Sequence, residues 1–84
     1  MLNILYFAWV KERMGRAQEQ LAPPPGIVTV GALATWLQAR DDQGRAAFAH
    51  PALVRAAVNQ DFATPDTHIH DGDEVAFFPP VTGG

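Results

Sequence analysis

The groups most able to do chemistry stand at the end of the sequence. Pro79 and Pro80 are followed only by Val81, Thr82, Gly83 and Gly84. Nothing in these last four residues can form a core element. The two prolines stiffen the approach in an extended form, and the two glycines carry no Cβ. A terminal carboxylate on Gly84 can therefore enter a channel too narrow for any side chain, and can be attacked or activated there by a partner enzyme. Other candidates are weaker. His68 and His70 flank Ile69, with Asp66 and Asp71 close by. A His-x-His pair ligates a metal when it lies on a strand, but here it falls in a turn-rich stretch, so no metal site is expected. Asp71, Asp73 and Glu74 lack the spacing of a calcium loop and read as a solvated turn. There is no Gly-x-Gly-x-x-Gly and no Walker motif, so the chain itself is not expected to bind a nucleotide cofactor. The sequence contains no cysteine, which excludes a disulfide framework, a zinc ribbon and a thiol nucleophile. No Ser/His/Asp order or close carboxylate pair stands out, so the chain alone is not expected to be an enzyme.

The elements that position this end must come from one small domain. The 84 residues are 48% hydrophobic and 18% charged, a balance that folds by packing and not as a disordered tail. A net charge of -3 argues against nucleic acid as the main partner. The longest apolar run, Ile4 to Val10, is far shorter than the roughly 20 residues of a membrane span. No cation precedes it, so no signal peptide is expected, and the chain reads as a soluble cytoplasmic domain. Residues 1–80 are expected to form the domain and residues 81–84 a flexible tail.

Residues 2 to 10 predict a first strand, with Ile4, Tyr6 and Ala8 on one face and Leu5, Phe7 and Trp9 on the other. Lys11 to Gly15 reads as a turn or short helical turn. Residues 16 to 22 predict an exposed strand hairpinned to the first and stopped by Pro23-Pro24-Pro25-Gly26. Thr29 is the expected N-cap of a helix from Val30 to about Arg40, with Val30, Leu33, Ala34 and Leu37 as its apolar stripe. Asp41 to Gly44 reads as a loop and residues 45 to 49 as a short second helix before Pro51. Val54, Ala56 and Val58 alternate with more exposed residues in a half-buried strand, followed by an Asn59-Gln60-Asp61 turn and a short return strand at Phe62-Ala63. Residues 64 to 73 are an irregular crossing that ends in an Asp71-Gly72 turn. Glu74 to Phe78 is the last strand, with Val75 and Phe77 facing one way and Ala76 and Phe78 the other. The expected class is α+β, a sheet with one main helix packed on it.

The C-terminal segment Asp71-Gly72-Asp73-Glu74-Val75-Ala76-Phe77-Phe78-Pro79-Pro80-Val81-Thr82-Gly83-Gly84 resembles the end of the MoaD-type sulfur carriers, the small subunits of molybdopterin synthase. Leu5-Tyr6-Phe7-Ala8 with Val10-Lys11-Glu12 and Gly15 is similar to that family's first strand and turn, and Ala56-Ala57-Val58-Asn59-Gln60 to its central strand. Trp9 is bulkier than that pattern leads one to expect. The resemblance implies a ubiquitin-like β-grasp fold, with a mixed sheet of four to five strands on one helix. It also implies an adenylyltransferase related to the ubiquitin activators. That enzyme would use ATP and magnesium to adenylate the Gly84 carboxylate, and a sulfur donor acting through it would leave a thiocarboxylate. The large synthase subunit would take up Gly83 and Gly84, with Val81 and Thr82 behind them, in a heterotetramer, and sulfur would pass to cyclic pyranopterin monophosphate to build the dithiolene. No cofactor is implied on this chain. Carriers for thiamine or tRNA thiolation, and ubiquitin-like modifiers, share the architecture and remain as alternatives.

The residues also point to a docking surface. If Tyr6, Val58 and Phe77 face the core, then Phe7, Phe62 and Phe78 gather on the opposite face beside Pro79 and Pro80. Large apolar residues grouped in the open suggest a partner site. Lys11 near the same end would pair with a partner's acid, while Arg13 reads as a solvated charge.

Overall fold

A computed structural model describes residues 1–80. Its elements run β1 (Leu2–Tyr6), α1 (Ala8–Met14), β2 (Gln18–Leu21), α2 (Val30–Arg40), α3 (Asp42–Ala47), a 3-10 turn (Pro51–Leu53), β3 (Arg55–Val58), β4 (Asp61–Ala63) and β5 (Glu74–Phe78). The strands form one mixed sheet in the order β2-β1-β5-β3-β4. Only β1 and β5 are parallel; β1–β2, β5–β3 and β3–β4 are antiparallel. This is the β-grasp arrangement: the first and last strands lie side by side at the centre, and the helices cover one face.

The core lies between that face and the helices. Ile4, Tyr6, Val75 and Phe77 meet Val10 and Met14 of α1, Leu33 and Leu37 of α2, and Phe48, all essentially sealed from water. Phe48 meets Phe77 edge-on at 5.0 Å between ring centres, a geometry favoured by the aromatic quadrupoles. Thr29 caps α2 as expected, its hydroxyl accepting from the Ala32 N–H at 3.2 Å.

Two segments differ from the expected pattern. The first strand stops at Tyr6, and Ala8–Met14 is helical. Val10 and Met14, one turn apart, are both buried, whereas Lys11, Glu12 and Arg13 are exposed. The apolar run fits a strand up to Tyr6 and a helix stripe after it, and periodicity alone does not divide so short a run. Gly15, at φ 75°, closes the helix by donating its N–H to the Lys11 carbonyl, a left-handed cap that glycine adopts without a Cβ penalty. Trp9 therefore does not face outward from a strand. It packs half-buried against the core, with the Arg13 guanidinium 4.4 Å from its ring centre.

The second difference is Asp41 to Gly44. It is no loop: Asp41 is the N-cap of α3, accepting the Gly44 N–H at 2.8 Å. Gly44 is buried against α2, and a Cβ there would run into the Leu37 carbonyl.

Candidate functional site

Strand alternation divides the sheet into two surfaces. Tyr6, Phe77, Ala56 and Ala63 are register partners across four strands and belong to the helix side. One residue along, Leu5, Ala76, Ala57 and Phe62 form the matching row on the open side. At about 4.8 Å between strands this row spans about 14 Å. Phe78 follows on the same surface, with Arg55 directly opposite it on β3. Phe7 continues the alternation of β1 and donates its N–H to the Phe77 carbonyl at 3.1 Å. The next residue, Ala8, takes a left-handed φ of 54° and turns the chain into α1, which leaves Phe7 pointing away from the core.

The three phenylalanines thus gather on the open surface. Phe62 is 86% exposed and Phe7 49%, and the Phe62 and Phe78 rings are 6.2 Å apart. Ala57 and Ala76 lie between them and add little height, so the patch is a shallow apolar basin with aromatic walls. Lys11 is exposed one turn after Phe7. The ladder ends at Phe78, where Pro79 and Pro80 offer no N–H to continue it. Both prolines are half-buried at the edge of the patch. Val81, Thr82, Gly83 and Gly84 lie outside the described residues.

Other candidates do not converge. His70 serves a turn: its N–H donates to Asp73 Oδ2 at 2.8 Å, while Asn59 Nδ2 holds Asp73 Oδ1 at 3.0 Å. The Asn59 bond, followed by the His70 N–H, holds the Asp73 carboxyl below its usual range. His68 makes a backbone bridge to Thr29. Among the described residues, no three His, Asp or Glu side chains form a metal-binding group. A cavity of about 430 Å³ opens between α2 and the β3–β4 edge. Val30, Ala34, Phe48 and Phe77 line it, so it belongs to the helix side and not to the aromatic basin.

Sequence reasoning missed a polar cluster that braces the sheet beneath this surface. The Tyr6 hydroxyl donates to Glu19 Oε2 at 2.7 Å. Arg40 grips the same carboxylate in a fork, at 2.9 and 3.0 Å, and Arg16 adds a contact at 3.2 Å. Burial alone raises the Glu19 pKa, but the hydrogen bonds from Arg40 and Tyr6 and the two guanidinium charges outweigh it and hold the carboxyl below its ordinary value. Burial, and then Glu19, push the Tyr6 hydroxyl far up. Glu19 therefore stabilises the fold above its unfolded pKa of about 4.3, and that contribution is lost as pH falls through the lower folded value. Glu19→Gln is expected to cost about 2 kcal/mol at neutral pH. Urea unfolding at several pH values should show this gap closing as pH falls below the ordinary carboxylate range; a gap of constant size would contradict the pairing.

Arg55 was also missed as a member of the site. Its alternation with Ala56 signals exposure, but only the strand register puts it beside Phe78.

Known proteins share this architecture and sequence. The model of the ThiS family matches residues 4–84. The Escherichia coli molybdopterin synthase sulfur carrier subunit is 43% identical over 84 residues, covering 100% of each chain. A solved Pyrococcus furiosus protein, described as a molybdopterin converting factor subunit 1, superposes with a TM-score of 0.77 at 28% identity, over 95% of this chain and 97% of that one. Small archaeal modifier protein 1 of Haloferax volcanii superposes with a TM-score of 0.73 at 22% identity, over 95% and 97% of the two chains, a likeness of fold.

Proposed function

The chain belongs to the ThiS family, and we propose on that basis that it is the sulfur-carrying small subunit of a molybdopterin synthase. The observation that carries this reading is the 43% identity to the Escherichia coli sulfur carrier subunit along the whole of both chains. The aromatic basin at the root of the Gly-Gly segment agrees with it. A carrier needs a body that docks and an end that reaches, and Phe7, Phe62 and Phe78 share the open surface, with Pro79 and Pro80 following Phe78 and leading to Val81 to Gly84 in the chain.

In this proposal each part has one task. A carboxylate is a poor electrophile. An adenylyltransferase using ATP and magnesium joins AMP to the Gly84 carboxylate, with pyrophosphate released. A sulfur nucleophile supplied through that enzyme then displaces AMP and leaves a thiocarboxylate. The large synthase subunit binds the aromatic basin. It takes Gly83 and Gly84 into a channel that admits them because neither has a Cβ. There the thiocarboxylate gives its sulfur to cyclic pyranopterin monophosphate. The chain contributes reach and docking; the phosphate-handling groups belong to its partners. The cytoplasm, where those partners would work, is the proposed compartment.

Intact-mass spectrometry after incubation with the activating enzyme, ATP and a sulfur donor tests this directly. The expected product has one oxygen replaced by sulfur at Gly84. An amide bond to a lysine of another protein would replace the carrier reading with a modifier, and an unchanged mass would reject both.

A further inference from the structure

The open surface carries charge as well as aromatic area, and the charge is unevenly placed. Arg55 is exposed directly opposite Phe78, and Lys11 is exposed one turn after Phe7. The two cations therefore come from different elements, Arg55 beside Phe78 on β3 and Lys11 one turn beyond Phe7 on α1. Arg16, Arg40 and Arg45 each pair with a carboxylate. Among the described residues, no ion pair of 4.0 Å or less engages Lys11, Arg13 or Arg55, and of these Arg13 lies over the Trp9 ring. Glu12, the acid next to Lys11, lies about 100° around the helix from it.

Most of the acids sit at the other end of the sheet, and Asp61, next to Phe62 in β4, pairs in register with Val58 on the helix side. Asp71, Asp73 and Glu74 lead into β5, and Asp61 follows the β3–β4 turn. Four residues of strand, at about 3.3 Å each, place Glu74 about 13 Å from Phe78. That exceeds the Debye length of about 8 Å at physiological salt. Around Phe78 a partner therefore meets Arg55 on an apolar ground, although the net charge of the chain is -3.

We propose that the large-subunit surface receiving this basin presents carboxylates to Arg55 and Lys11 beside an apolar centre. This inference rests on the carrier reading and adds the chemistry of the partner. An apolar basin accepts many apolar surfaces, whereas two cations held on different elements fix a rotational register and reject a basic partner. Covering either cation with an uncharged surface would strip its water without compensation. The charges also steer the encounter, so their loss acts mainly on the association rate.

Stopped-flow association of the full chain with the large subunit from the same source, at about 20 and about 300 mM salt, tests the proposal. The double variant Lys11→Glu with Arg55→Glu is expected to associate about tenfold more slowly at low salt, with a flattened salt dependence. Arg55→Gln should fall between it and the wild type. Glu74→Gln, at the far end of the sheet, should stay within about twofold. Thermal melts establish that each variant is folded. Wild-type rates and salt dependence in the double variant would overturn the charge inference. If Phe78→Asp loses binding in the same assay, the docking face stands and only the charge inference falls. If Phe78→Asp also binds like the wild type, the basin is not the docking face and both fall.

Discussion

Deleting Gly84 is expected to lower sulfur delivery at least about 10²-fold while changing domain stability by less than about 0.5 kcal/mol. The deletion leaves a terminal carboxylate, and it leaves that carboxylate on a glycine, Gly83. The chemical type is thus unchanged. What is lost is reach, because the reacting group withdraws by about 3.5 Å. Displacements of that size remove the alignment on which catalysis in a fixed site depends. Adding one alanine after Gly84 is the converse test, since it overshoots and brings a Cβ into the channel. Dithiolene formation by a reconstituted synthase, read beside thermal melts, checks both variants. Near wild-type turnover by either one would refute a mechanism that depends on the position of the chain end.

Phe78→Asp is expected to weaken association with the large subunit by roughly 30- to 1000-fold, the span of about 2 to 4 kcal/mol at an interface centre. Phe78 is the natural centre because β4, β3 and the proline exit all bring site residues to its side. Phe62 lies 6.2 Å away on β4's side, Arg55 stands opposite, and Pro79 follows in the chain. A carboxylate here would need desolvation in the complex but not in the free protein, where the position is half-exposed. The fold should survive, since the core partner on β5 is Phe77. Calorimetry with each purified variant reads the affinity, and an unchanged Kd would remove Phe78 from the interface.

Much of the architecture is legible in the sequence where one signal acts alone. Thr29 announces α2, and Glu74 to Phe78 gives both the bounds of β5 and the division of Val75 and Phe77 from Ala76 and Phe78. The open position of Phe7 and Phe62 follows from the same parity. Reading fails where two periods share residues. Ile4 to Val10 satisfies a strand pattern throughout, and only the tertiary burial of Val10 with Met14 selects a helix after Tyr6. Asp41 to Gly44 has loop composition, but an aspartate before a helical turn caps as readily as it turns. Contacts between distant elements lie beyond any local pattern. The grip of Arg40 on Glu19 joins residues 21 apart, and the pairing of Arg55 with Phe78 depends on a register set by folding.

The placement of β5 has a consequence for how the molecule is made. The last strand to be synthesised is the central strand of the sheet, held between β1 and β3. Before Glu74 to Phe78 emerges from the ribosome, β1 and β3 both have an open edge, and the core lacks Val75 and Phe77. Contacts between the first and last strands close the longest loop in the chain, so the nascent domain cannot complete its fold by stages. A product cut before β5 is then no impaired carrier that could occupy a partner unproductively. It is an unfolded chain open to proteolysis. The assembled body and the Pro79-Pro80 root are completed together, so a product that folds has its last strand in place.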